Sequence, residues 1–206
     1  MFRDHRLLAA FSLGYYVSLL GFAAWDGRPQ APFYALFMAL AMMLVTFVNA
    51  RVGFSTGVLW ALSIWGLAHM AGGLVQVDGE VLYGSQLIPV VLRYDQAVHA
   101  FGFGAATLAC WQSLRRWVGA TVTPGTGLAV LIALCGMGVG AVNEMIEFLI
   151  TRVQPESNVG GFVNTGWDLV FNALGCVVAA GFLTRRRRID EVVEVSPEAP
   201  LWRQRS

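Results

Sequence analysis

The chain has 206 residues, a length that ordinarily marks one soluble domain, but its composition excludes that class. Hydrophobic residues make up 56% and charged residues only 13%, about half the charged share usual for soluble domains, and the mean hydropathy is +0.59. The formal charge of +1 sums fourteen basic residues, all of them Arg, against thirteen acidic ones; only Arg185 to Arg188 cluster, too little for a nucleic-acid-binding face.

A bilayer core needs about 20 predominantly apolar residues per helix. Six segments qualify in chain order: Leu7–Trp25, Pro32–Asn49, Phe54–Val75, Tyr94–Leu114, Thr126–Ile150 and Trp167–Leu183. Asp26-Gly27-Arg28-Pro29, Asn49-Ala50-Arg51 and Pro124-Gly125 supply turn chemistry between them. The first segment follows Arg3 and Arg6 as a signal peptide would, but it outruns a usual signal core, and Ala23-Ala24-Trp25 is a poor cleavage site. It is expected to be retained. The expectation is an all-α, six-helix transmembrane bundle forming one domain over 1–188.

Sidedness follows from the arginines. With the N-terminus inside, Arg3, Arg6, Arg51, Arg115, Arg116, Arg185 to Arg188, Arg203 and Arg205 fall inside, and Arg28, Arg93 and Arg152 fall outside. Cytoplasmic loops carry the excess of Arg, so both termini are expected to be cytoplasmic. Segment 76–93 mixes Asp78, Gly79, Glu80 and Tyr83 with the apolar run Leu87–Leu92, which suggests a re-entrant or interfacial element. Ile189–Ser206 reads as a mobile cytoplasmic tail. Cys110, Cys135 and Cys176 lie in apolar segments without metal-ligand spacing, and are expected to be inert buried thiols.

The polar residues within the spans concentrate at one depth. His69 lies near the outer end of the third span, Asp95 and His99 open the fourth, Asn143, Glu144 and Glu147 come late in the fifth, and Asp168 and Asn172 open the sixth. Side chains three or four apart share a helix face. Asp95, His99, Gly102 and Ala106 form one such stripe, as do Gly136, Gly140, Glu144 and Glu147, and Asp168, Asn172, Gly175 and Ala179. Small residues mark close helix packing in lipid, so the polar groups should face the bundle interior. A single polar residue in a span often does no more than bond a neighbour. Six converging ones are costly, at about 2.5–3.5 kcal/mol per charge on insertion scales, and point to a functional site.

Four carboxylates with two histidines in a medium of low dielectric need compensation, because close carboxylates resist ionising together. A bound cation, shared protons, or Arg93 and Arg152 reaching in from the rim would each supply it. Carboxylate and imidazole donors together suit zinc, manganese or iron. The expected ligands are His69, Asp95, His99 and Asp168, with Glu144 and Glu147 as the candidate catalytic bases. Asn143 and Asn172 are supporting polar groups.

The order His69-Met-Ala-Gly-Gly73, Tyr94-Asp95-x-x-x-His99, Glu144-x-x-Glu147-Phe148 and Asn164-Thr165-Gly166-Trp167-Asp168 resembles the YjdF-like family of bacterial inner-membrane proteins. The order Asp-x-x-x-His, then Glu, then Asp-x-x-x-Asn is also similar to VanZ-like membrane proteins, which are linked to glycopeptide resistance. The resemblance covers residues 65 to 180 or so, and it implies a bacterial inner-membrane location. Two positions depart from the YjdF-like pattern. Ala100 follows His99 where an aromatic residue is expected, and Asn164 stands in place of an Asp, which removes one ligand and leaves Asn164 a supporting role.

The resulting expectation is a metal-dependent hydrolase or transferase acting on a lipid or lipid-linked substrate at the outer face. The cysteines lack a partner base that would favour a Cys nucleophile. The rivals are a transporter of protons, cations or a small solute, and a non-catalytic membrane partner protein. Neither oligomeric state nor physiological role is legible.

Overall fold

A computed structural model of the chain describes residues 2–119, 124–153 and 161–195. Among them are six α-helices: α1 (Phe2–Trp25), α2 (Ala31–Val52), α3 (Thr56–Leu74), α4 (Tyr94–Val118), α5 (Thr126–Val153) and α6 (Phe162–Val195). Five are long and apolar enough to cross a membrane. The exception, α4, carries Asp95, Gln96, His99, Gln112, Arg115 and Arg116. Its polarity has a structural reason: α3, α5 and α6 all pack against it, so it meets protein where the other helices meet lipid. The outward faces, such as Leu40, Met43, Leu44 and Phe47 on α2 or Leu174, Val177 and Val178 on α6, are exposed and apolar, as a lipid-contacting surface requires. The expected all-α six-helix membrane bundle is the architecture found.

Local signals account for several helix ends. Pro32 sits in the first turn of α2, where its missing N–H costs nothing. Gly53 ends the same helix in the left-handed conformation, and its N–H donates to the carbonyl of Asn49. Ser55 caps α3 by accepting from the Val58 N–H at 3.4 Å, and it ties the cap to α4 because Gln112 Nε2 donates to the same hydroxyl at 2.8 Å. The third span therefore starts as a helix at Thr56, two residues after the expected Phe54.

Residue pairings set the helix directions. Ser12 and Ser63 share a hydrogen bond of 2.6 Å and Tyr15 lies over Gly66, so α1 and α3 run parallel. Such interhelical bonds contribute about 0.6 kcal/mol on average. Asp95, His99 and Phe103 meet Asn164, Asn172 and Cys176 in that order, so α4 and α6 are parallel too. Between them α5 runs the opposite way, with Gly140 against Asn172 and Gly136 against Thr107 and Cys176. The Gly136-x-x-x-Gly140 stripe is thus spent on internal packing. Gly175 is the tightest point of the α4–α6 contact: a Cβ there would collide with the carbonyl oxygen of Ala100.

Two expectations change and one becomes specific. Segment 76–93, expected to be a re-entrant or interfacial element, forms two small antiparallel hairpins, Gln76–Val77 with Glu80–Val81 and Gln86–Ile88 with Leu92–Arg93, joined by a 3-10 turn at Leu82–Gly84. The first hairpin turns at Asp78-Gly79, both at positive φ, the backbone that Asp-Gly favours. The second turns through Pro89 and Val90, and Val90 is held at φ +66 while 99% exposed. The last helix begins at Phe162 and runs on to Val195, past the arginine run, because no breaker intervenes before Pro197. The tail expectation beyond it, over 196–206, lies outside the described residues. All three cysteines are free, but only Cys176 is buried, and Cys135 is exposed on the apolar face of α5.

Candidate functional site

The end of the bundle where α3 and α5 finish and α4 and α6 begin collects the polar side chains singled out in the sequence. Helical spacing explains this. Asp95 and His99 lie one turn apart on α4, Glu144 and Glu147 on α5, and Asn164, Asp168 and Asn172 on α6. The glycines that continue those stripes let the three backbones close in beneath them.

His99 is the centre. It is buried, with Nε2 3.4 Å from Asp95 Oδ1 and Nδ1 3.0 Å from Asn172 Oδ1 and 3.5 Å from Glu144 Oε1. Asn172, 1% exposed, donates from Nδ2 to Glu144 Oε1 at 3.2 Å. Asn164 uses its one amide nitrogen twice, donating to Asp95 Oδ2 at 3.1 Å and to Asp168 Oδ2 at 2.6 Å. Asn143 donates to Glu147 Oε1 at 2.7 Å. Three asparagines thus hold four carboxylates. Among the described residues two buried oxygens are left without a partner, Glu144 Oε2 and Asp168 Oδ1; Asp168 is 1% exposed and Glu144 5%. Buried acceptors are nearly always paired, so these two call for an explanation.

Two groups bring ligand atoms within 4.8 Å of one another: Asp95, His99 and Asp168, and His99, Glu144 and Glu147. His99 belongs to both. Each group is a carboxylate–imidazole set of the kind that takes a divalent transition metal. His69, expected as a ligand, belongs to neither. It stands instead in an aromatic box of Tyr34, Phe37, Trp65 and Tyr83, with ring centroids 5.2–5.9 Å away. Its Nδ1 is 2.5 Å from the Tyr83 hydroxyl, and its Nε2 is buried without a partner. Arg93 and Arg152, expected as compensating charges, are exposed, and no ion pair links either to the site carboxylates among the described residues.

The family-model comparison matches residues 7–189 to the family described as Predicted membrane protein (DUF2238). The chain belongs to that family. Neither the curated proteins nor the solved structures include a match to it. Membership agrees with the five membrane-length apolar helices, which make it a multi-pass membrane protein, and it assigns no reaction.

The box around His69 is what sequence reasoning missed in this DUF2238 chain. Tyr83 comes from the connection between hairpins. Burial pushes its phenol well above the ordinary range, and negative charge at neighbouring groups, Asp95 and Glu147 among them, pushes the same way. It therefore stays protonated and shares a hydrogen bond with His69 Nδ1. The pair Gly72-Gly73 makes the room. A Cβ on Gly72 would fall 2.5 Å from the Tyr83 ring, and one on Gly73 would collide with Tyr34. That adjacent pair was the available signal, but it could announce only that something bulky approached.

Proposed function

We propose that the polar end of the α4–α6 bundle is a divalent-metal centre of a hydrolase or transferase acting on a lipid or lipid-linked substrate. The observation that carries this is the pair of buried, unpartnered carboxylate oxygens, Glu144 Oε2 and Asp168 Oδ1, on two residues that each group with His99, with no arginine to neutralise them among the described residues. A buried charge is retained when it is paired or holds a metal. A divalent ion would supply Lewis acidity and an activated water. The donor set of carboxylates with one imidazole suits zinc, manganese or iron. Glu144, with its free oxygen, is the base best placed to take a proton, and Glu147 stands beside it. The site lies at the level where helices begin and end, so a substrate reaching it sits at the membrane boundary, which favours a lipid-borne group. The finer affiliation, YjdF-like with distant VanZ-like character, belongs to the same proposal. So do a bacterial inner-membrane location, cytoplasmic termini and a site opening to the outer face.

Close packing below the site argues against a transport path. Gly175 against Ala100, and Gly136 against Thr107 and Cys176, bring the three backbones together where a conduit would have to run. The test is elemental analysis of the purified protein, wild type and His99→Ala, followed by hydrolysis assays on phospholipids and polyprenyl-linked substrates with the metal found. Stoichiometric metal that is lost in His99→Ala, and turnover that is lost in Glu144→Gln, are expected. A wild-type protein free of zinc, manganese and iron, and unable to take them up, overturns the reading.

A further inference from the structure

His99 stands between two carboxylate groups, and the amide of Asn172 distinguishes them. Asn172 donates from Nδ2 to Glu144 Oε1, which turns Oδ1 towards His99 Nδ1 at 3.0 Å. Turning the amide over would set its oxygen against the Glu144 carboxylate, acceptor against acceptor. Asn172 Oδ1 can only accept, so His99 Nδ1 carries the proton. The lone pair of the neutral imidazole is then on Nε2, and Nε2 faces Asp95.

Asn164 sorts the oxygens on that side in the same manner. It engages Oδ2 of both Asp95 and Asp168, which leaves Asp95 Oδ1, 3.4 Å from Nε2, and the unpartnered Asp168 Oδ1. On this side, then, Asp168 Oδ1 is unpartnered and Asp95 Oδ1 faces the His99 Nε2 lone pair, and the three residues form one of the two groups. In the other group, His99 Nδ1 is engaged by Asn172, as is Glu144 Oε1, and Glu147 Oε1 by Asn143; Glu144 Oε2 is unpartnered, but with Nδ1 protonated no imidazole lone pair is available on that side.

Resting on the metal-centre reading above, we infer that one divalent cation of the zinc or manganese class is held by Asp95, His99 Nε2 and Asp168, with Asn172 as the positioning residue that directs His99 towards it. Three protein ligands with an open position is the arrangement of a catalytic rather than a structural site. The Glu144–Asn172–His99 chain is the outer support that fixes ring orientation and tautomer, as carboxylate and amide partners do for ligating imidazoles generally. Glu144 and Glu147 are then left outside the coordination sphere, where a base has to be.

The experiment uses the full chain in detergent or nanodiscs, with Zn²⁺ and Mn²⁺ as probes. Binding is measured by competition with a chromophoric chelator, and thermal unfolding of each variant is followed in parallel. Asn172→Leu should weaken binding by about 10–100-fold, the usual cost of losing a ligand's support, and Asp168→Asn, which replaces a ligand, by at least as much. Glu147→Gln should change it less than threefold. ¹⁵N-histidine NMR of the wild type should give the Nδ1–H tautomer for His99, with Nε2 the nitrogen shifted by Zn²⁺. Binding abolished by Glu147→Gln but untouched by Asp168→Asn, or Zn²⁺ on Nδ1, overturns the inference and leaves the metal centre standing. Failure of the wild type to bind either ion overturns the centre itself.

Discussion

Replacing Asp168 by Asn separates a metal ligand from a member of a structural network, because the two roles predict opposite signs. In the metal-free protein Asp168 Oδ2 accepts from Asn164, while Oδ1 is buried and unpartnered in a side chain 1% exposed. An unsatisfied buried polar atom costs about 1–3 kcal/mol, and more when charged. Asparagine has the same shape, keeps an oxygen for the Asn164 bond and puts a neutral amide nitrogen where the charged Oδ1 was. Asp168→Asn should therefore stabilise the metal-free protein by about 1–2 kcal/mol, the part of that cost that belongs to the charge. At about 2–4 °C per kcal/mol for a chain of this size, that is a rise of several degrees. Metal reverses the order: a ligand at about 100 times its Kd adds about 2.7 kcal/mol to a protein that binds it and little to one that does not. Thermal unfolding followed by intrinsic tryptophan fluorescence, in chelator and in saturating Zn²⁺, should show the two curves exchange places. If Asp168→Asn is less stable than wild type in chelator and gains as much from metal, the reasoning fails and Asp168 is a structural hydrogen-bond partner.

Gly175→Ala should destabilise the protein by about 1–3 kcal/mol, since the new methyl meets the fixed carbonyl of Ala100; an unchanged unfolding temperature would mean that the α4–α6 contact is slacker than described. Tyr83→Phe keeps the ring over Gly72 but leaves both nitrogens of His69 unpartnered, and should lower stability by about 1–3 kcal/mol; a loss below about 0.5 kcal/mol, read from denaturant unfolding, would contradict it. Val90→Gly at the exposed hairpin tip relieves about 1–2 kcal/mol of left-handed backbone strain against about 0.5–1 kcal/mol of added chain entropy. The expected net is a gain of about 0.5–1 kcal/mol, and a measured loss would mean that the Val90 side chain makes a contact of its own.

Hydropathy alone marks five of the six helices, all but α4, and it does so for a physical reason. In lipid every backbone N–H and C=O must be satisfied within the helix, so the bilayer imposes a length and an apolarity that any 20-residue window reveals. The polar stripes were legible too: Asp95, His99, Glu144, Asp168 and Asn172 share helix faces with glycines, and period and residue size are local properties. Tertiary structure decided which of those groups meet. His69 has the same depth and the same glycine-flanked stripe as the others, yet the rotation of α3 turns it into a box completed by Tyr83 from a connecting segment. Arg93 and Arg152 lie at the right level but stay exposed. The choice among His99's neighbours depends on how Asn164 and Asn172 orient their amides across three helices. Helix rotation, loop path and amide orientation are set by long-range contacts, and no window of sequence contains both partners of such a contact.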